Sequence, residues 1–287
     1  MVPIHHPLNP PEVEVRASVR RALVEDLLPL GDLTASLLDP SLSATAVLRT
    51  RSEGNIAGTR CVSETLRQVD DRLTIEWLVA EGDRVGARAD LARISGPLSP
   101  LVTAERTALN FLSHLSGIAT RVAEFVALAE GRCRIWDTRK TTPGLRALEK
   151  AAVRCGGGHN HRGNLSEWVM LKDNHLAKMG ITEAIEAAHA VWPARTVHVE
   201  CDRLDQVGEA VDAGAGAILL DNMTPEVVTE GVAIVAGRCL VEASGGINLD
   251  TVAAYSRTGV DCISVGGLTN SAPVLDIGLD IDAERGE

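Results

Sequence analysis

Between Asp137 and Lys178 the chain reads DTRKTTPGLRALEKAAVRCGGGHNHRGNLSEWVMLKDNHLAK, and residues able to hold an anion gather there. Arg139, Lys140, Arg146, Lys150, Arg154, Arg162, Lys172 and Lys178 stand against Asp137, Glu149, Glu167 and Asp173, with His159, His161 and His175 among them. The 287-residue chain carries a formal charge of -11, so this segment is a basic island in an acidic protein. Its 28 Lys and Arg include only four Lys, and all four lie here. Lys is a compact point charge whose pKa shifts readily, whereas Arg offers a planar fork, so the clustering marks sites where an ammonium is wanted. Gly156, Gly157 and Gly158 interrupt the island and open room for a small polyanion.

Behind the island the chain falls into a regular rhythm. Short apolar runs occur at 134–137, 168–172, 196–200, 217–221, 240–246 and 262–267, and most intervening stretches have helical character. ITEAIEAAHAVW, LDQVGEAVDAG, TPEVVTEGVAIVAG and NLDTVAAYSRTG fill those gaps, the last two with Thr224 and Asn248 as expected caps. Strands alternating with helices predict right-handed βαβ units and a parallel sheet. Six units without a GxGxxG turn favour a barrel over a doubly wound sheet. Each run ends in polar or glycine residues: Arg139 and Lys140, Lys172 and Asp173, Glu200, Asp221 and Asn222, Ser244-Gly245-Gly246, and Gly266-Gly267. In parallel barrels those ends converge on one mouth, where reactions take place.

That mouth would have a cationic side (Arg139, Lys140, Arg162, Lys172 and His161), an acidic side (Glu200 and Asp221) and a glycine-rich corner. Arg forks suit carboxylates and phosphates, and bare backbone N–H groups suit phosphate. The two carboxylates suit ribose hydroxyls, an oxocarbenium-like centre or Mg²⁺ held with phosphates. Other chemistries stay open at this point. Lys140 or Lys172 could form a Schiff base, and Glu200 and Asp221 could be structural ion pairs. Cys155, His159 and His161 match no standard zinc spacing.

The remaining features exclude whole classes. Strong net negative charge argues against nucleic acid or an anionic membrane as partner. Six Cys without a CxxC read as reduced thiols of a cytoplasmic protein. No signal peptide or membrane span is expected. Residues 1–11 are Pro-rich and read as an arm, and a helix is predicted from Pro11 with Val15, Val19, Leu23 and Leu27 on one face. Asp32 follows Gly31 and reads as a turn or cap residue. The stretch 44–94 alternates like a structural α/β layer. Part of it resembles a lipoyl-type hairpin, but no Lys precedes position 140 to serve as a carrier. A long helix or a helix pair follows Ser99-Pro100, with Leu109, Leu112, Leu115 and Ile118 as its stripe. Arg106 sits near its start, where a positive charge opposes the helix dipole.

Taken together, TRKTTPG, GGGHNHR and VMLKDNH, preceded by ERTALNFLSHLSGIAT and followed by VECD, LLDNM, EASGGI and ISVGGLT, resemble the quinolinate phosphoribosyltransferase family. The likeness runs from EDLLPLGDLT to the C-terminus. Ser166-Glu167, Gly267 and Asn270 stand where the family commonly has Tyr-Asp, Ala and His. The resemblance implies an open-faced α/β sandwich N-terminal domain (residues 1–115, joined by 272–287). It also implies an incomplete α/β barrel of fewer than eight parallel strands over 116–271. Quinolinate and 5-phosphoribosyl 1-pyrophosphate are the implied substrates, Mg²⁺ the implied cofactor, and a homodimer with a shared site the implied assembly. By the same resemblance Arg139, His161, Arg162 and Lys172 hold quinolinate, with Arg106 from the other subunit, and Thr138 is a further substrate-binding residue. Lys140 then meets the pyrophosphate donor. Glu200 and Asp221 meet its ribose and Mg²⁺, directly or through water. Ser244, Gly245 and Gly246 with Val265, Gly266 and Gly267 meet its 5-phosphate.

Overall fold

In a computed structural model, residues 8–282 are described. Most of the expected arm at residues 1–11, and residues 283–287 of the returning C-terminal stretch, lie outside them. The chain forms two compact units. One comprises the residues up to Ala123, Thr141–Gly157 and the segment from Thr269; the other comprises Glu124–Lys140 and Gly158–Leu268.

In the first unit α1 (Glu12–Leu27) buries Val15, Val19 and Leu23, the expected face, and carries Glu12 and Glu14 in its first turn, where they suit the dipole. Asp32 is a turn residue, as its context predicts. Its Oδ1 accepts the backbone N–H groups of Thr34 at 3.0 Å and Ala35 at 2.9 Å, and its Oδ2 accepts the Thr103 hydroxyl at 3.0 Å. These bonds, led by that from Ala35, hold its carboxyl below the usual range.

The stretch 44–94 forms β1 (Ser43–Thr50), β2 (Gly54–Asn55), α2 (Thr59–Val69), β3 (Thr74–Trp77), β4 (Arg84–Val85) and most of β5 (Asp90–Pro97). A single helix of 32 residues, α3 (Leu98–Ala129), comes next. Its Leu101, Ala104, Ala108 and Leu112 share one buried cluster with Ala46 and Leu48 of β1, Leu91 and Ile94 of β5 and Val62 and Leu66 of α2. Each fully buried Leu or Ile there contributes about 1.5–3 kcal/mol relative to exposure. The result is a sheet with helices packed on it, the open-faced α/β layer expected.

The second unit holds β6 (Arg134–Trp136). Then α4 (Arg146–Cys155) returns to the first unit, where it lies against α1. After it come β7 (Val169–Leu171), α5 (Asp173–Leu176), α6 (Ile181–Val191), β8 (Val197–Cys201), α7 (Leu204–Asp212), β9 (Ala217–Asp221), α8 (Pro225–Val235), β10 (Leu240–Ser244), α9 (Val252–Ser256) and β11 (Cys262–Ser264). The chain continues through α10 (Gly267–Asn270) to β12 (Ile277–Asp282), which pairs antiparallel with β1. The first unit's four-stranded sheet therefore has the order β12-β1-β5-β3.

Six parallel strands in the order β6-β11-β10-β9-β8-β7 form the second unit's sheet, and among the described residues its two end strands do not pair. This is the incomplete barrel. Through residue 115 α3 runs unbroken, and it keeps burying Leu115, Ile118, Val122 and Phe125 beyond it. One detail departs from the sequence reading. The helix expected after Asn248, α9, begins at Val252 and not beside Asn248. Asn248 Oδ1 accepts the N–H groups of Asp250 at 2.9 Å and Thr251 at 3.2 Å, so its side chain builds a turn ahead of the helix.

Candidate active site

A side chain at the end of a strand and the one two residues earlier share a face. In this parallel sheet that rule sends Lys172, Glu200, Asp221, Ser244 and Ser264 from the ends of successive strands into one cavity of about 400 Å³. Met170, Leu219 and Glu242 line it one step deeper, and Thr138, Arg139, Lys140, His161 and Arg162 complete the wall. Nine of the residues expected to serve as site residues are thus brought together in the second unit. Gly245, Gly246, Val265, Gly266 and Gly267 follow β10 and β11 without lining the cavity. Arg106 lines a separate cleft in the first unit, with Arg21, Asn110, Phe111 and His114.

Asp137, wholly buried just after β6, fastens the loop that carries His161 and Arg162. Its Oδ1 accepts the His161 backbone N–H at 2.8 Å, and its Oδ2 accepts Asn160 Nδ2–H at 2.7 Å. His159 N–H donates to the Ile135 carbonyl at 2.8 Å and Asp137 N–H to that of His159 at 3.1 Å, extending β6 into the loop. His175, the third histidine of the basic segment, accepts the Lys172 backbone N–H on Nδ1 at 3.0 Å and so shapes the turn after β7. Gly245 adopts φ 98°, and a Cβ there would meet the Asn222 backbone nitrogen at 2.6 Å, so the strand end admits only glycine. At Gly266 a Cβ would come within 2.9 Å of Lys140 Cδ, which places the Lys140 stem across the end of β11.

The charges interlock. Lys172 Nζ forms an ion pair with Glu200. Burial, then the Glu200 charge, raises the Asp221 carboxyl above its usual value, with Lys172 and Lys140 pulling it back. Burial and the adjacent Arg139 charge work against the Arg162 guanidinium, while Glu167 and Glu200 favour it. Cations crowded beside cations, and carboxylates beside carboxylates, describe a pocket awaiting an anion on one side and a cation on the other.

Sequence reasoning missed the layer beneath. Glu242 and His198 are buried two residues before Ser244 and Glu200, so the period-two rule could have found them. His198 Nε2 lies 3.2 Å and His161 Nε2 3.4 Å from Glu242 Oε2. Burial lowers the His198 pKa to about 4, against the pull of Glu242. Burial also opposes the Glu242 charge, but the His161 hydrogen bond and both imidazoles outweigh it and hold the carboxyl low. Cys155 and His159 take no part in this group.

Comparison with known proteins agrees along most of the chain. The family descriptions "Quinolinate phosphoribosyl transferase, N-terminal domain" and "C-terminal domain" match residues 32–116 and 118–280. The chain is 38% identical over 272 residues to a probable nicotinate-nucleotide pyrophosphorylase (carboxylating) of Bacillus subtilis strain 168, covering 94% of each. It is 40% identical over 274 residues to the nicotinate-nucleotide pyrophosphorylase (carboxylating) of Mycobacterium leprae, covering 93% of this chain and 96% of that one. Among solved structures, the nicotinate-nucleotide pyrophosphorylase of Francisella tularensis superposes with a TM-score of 0.93 at 36% identity, covering 97% of this chain and 100% of that one.

The depressed His198 pKa sets a pH dependence. Unfolded, this imidazole takes a proton near its ordinary 6.5; folded, it waits until about 4. Between those values the unfolded state binds more protons, so stability falls as pH is lowered through the window and is fully present above it. Urea unfolding of wild type against His198→Gln at pH 7.5, 5.5 and 4.5 should show a shallower decline in the variant. Parallel declines would mean that His198 is not held neutral.

Proposed function

The chain belongs to the quinolinate phosphoribosyltransferase family, and on that premise we propose that it transfers phosphoribosyl from 5-phosphoribosyl 1-pyrophosphate to quinolinate with decarboxylation. The products are nicotinate mononucleotide, CO₂ and pyrophosphate, a step of NAD biosynthesis. The observation that carries this reading is one pocket lined by Arg139, Lys140, Arg162 and Lys172 in an otherwise acidic protein. One carboxylate does not call for so many cations; two adjacent ring carboxylates and a pyrophosphate do.

In this reading Arg139, Arg162, Lys172, His161 and Thr138 orient the diacid. Its ring nitrogen then faces the sugar C1. That nitrogen forms the new bond as the C1–oxygen bond to pyrophosphate breaks, and the electron pair leaves with pyrophosphate. Lys140, lying across Gly266, offers its ammonium to the departing charge. Glu200 and Asp221 face the cation-like sugar and its hydroxyls. The positive ring nitrogen then accepts electron density as the neighbouring carboxylate departs as CO₂, and a proton takes its place on carbon. Glycine-rich strand ends at Ser244–Gly246 and Val265–Gly267 offer backbone N–H groups to the 5-phosphate.

Glu200 and Asp221 fit Mg²⁺, since burial and then the Glu200 charge disfavour the Asp221 carboxylate, and a dication held by both would favour it. When bound with the phosphates, Mg²⁺ supplies charge neutralisation for the leaving group. A homodimer with shared sites explains why Arg106 lines a cleft of the first unit and not the pocket. Cytoplasmic location accords with the described residues, where no helix is long and apolar enough to cross a membrane.

Turnover should favour quinolinate over nicotinate by at least about two orders of magnitude in kcat/KM, because a ligand without the second carboxylate forfeits the charge-assisted hydrogen bonds the cationic wall offers it. Lys140→Ala should lose about two orders of magnitude or more in kcat while remaining folded. Equal use of nicotinate would contradict the diacid reading, and near-normal turnover of the variant would remove Lys140 from the reaction.

Subunit mixing tests the shared site. Arg106→Ala and Lys172→Ala homodimers should each be nearly inactive. Refolding an equal mixture makes about half the dimers hybrid, each with one intact site, so about a quarter of wild-type activity should return. No recovery, where wild type treated alike recovers, contradicts sharing.

A further inference from the structure

Glu242 is wholly buried beneath the pocket with two imidazoles aimed at it, and no step proposed above uses it. Both its oxygens and His198 Nε2 are buried without a hydrogen bond of ordinary geometry. Ser264 and His161 are the polar groups that reach the carboxylate. His198 Nε2 and Glu242 Oε2 face each other at 3.2 Å without a hydrogen bond of ordinary geometry, an arrangement in which a cation between them would take both as ligands.

We propose that His161, His198 and Glu242 form a binding site for a divalent transition metal of the zinc class at the floor of the pocket. Among the described residues this is the group of His, Cys, Asp or Glu whose ligand atoms converge, all within 4.8 Å of one another. Donors around a tetrahedral zinc with bonds of about 2.0–2.1 Å lie about 3.4 Å apart. Both nitrogen-to-oxygen separations, 3.2 and 3.4 Å, match that spacing. Two nitrogens and one oxygen select zinc, cobalt or nickel over magnesium, which prefers oxygen alone.

The rings are also held in place. His161 meets Trp168 edge-on at 4.9 Å and Trp136 at 5.5 Å, and stacks with His198 at 5.8 Å. Rings fixed by such packing present their nitrogens with little ordering cost on binding. His161 and Glu242 both line the cavity, which gives the ion an access path and leaves its fourth position facing the pocket. An ion seated there takes His161 away from the diacid, so it acts as an inhibitor competing with quinolinate. The donor set is distinct from Glu200 and Asp221, which face the phosphoribosyl donor.

Equilibrium dialysis against Co²⁺ and Zn²⁺ at pH 7.5, without substrates, tests the site independently of turnover and of the transferase reading. Wild type should retain one equivalent per chain, and the cobalt form should show visible bands without a thiolate charge-transfer band. His198→Gln should bind at least about tenfold more weakly and, since His198 contacts no substrate in this scheme, keep Mg²⁺-supported turnover that micromolar Zn²⁺ no longer inhibits. Glu242→Gln serves as a second variant with the same expected loss of binding should His198→Gln fail to fold. A wild-type protein that retains no metal, a thiolate spectrum, or unchanged binding in the variants would overturn the proposal and leave a cluster that shares only protons.

Discussion

Strand side chains alternate with a period of two, and everything at the mouth of the second unit depends on that parity. Because all six strands run the same way, the residues at or just past their ends meet in one place: Thr138, Lys172, Glu200, Asp221, Ser244 and Ser264. A slip of one residue in any register would turn a polar end outward and break the ring. The same parity sets the layer below, where Met170, His198, Leu219 and Glu242 stand two residues earlier. Function and fold are therefore written in the same positions.

The ring sets like charges beside one another: Lys172 pairs with Glu200, yet burial and like neighbours still act against Arg162 and Asp221. Two unit charges 4 Å apart interact by about 4 kcal/mol at an effective dielectric of 20. Arg139 beside Arg162, and Glu200 beside Asp221, are each opposed by a like neighbour. Asp137 keeps the arrangement from relaxing, since its two bonds to Asn160 and His161 tie the cationic loop to the end of β6. Substrates carrying the opposite charges complete a site that the protein alone leaves strained. This is how an acidic chain comes to bind polyanions.

Much of this was legible in the sequence, for identifiable reasons. The six strands were readable because buried parallel strands are short continuous apolar runs, and RIW, VML, VHVEC, AILLD, LVEAS and CIS keep that form. The polar strand ends were readable because they interrupt such runs. Asp32 was readable because a carboxylate after glycine has few other uses. His198 and Glu242 were overlooked because each sits inside a strand, between apolar neighbours, and shows its purpose only when β8 and β10 bring them together across the sheet. Asp137 looked like one more charge in a polar motif, since no periodicity announces a wholly buried acceptor. The return of Thr141–Gly157 to the first unit was hidden for a similar reason: α4 joins α1 through contacts distant in sequence.

The central claim is that one ring of charges both aligns the diacid and joins it to the sugar, so that loss of one carboxylate follows the joining. Quinolinate labelled with ¹⁴C in the carboxylate next to the ring nitrogen tests it most directly. With 5-phosphoribosyl 1-pyrophosphate and Mg²⁺, one labelled CO₂ should be released for each pyrophosphate, and none when the sugar donor is omitted. Pyrophosphate released without labelled CO₂, or labelled CO₂ released without the donor, would contradict the account.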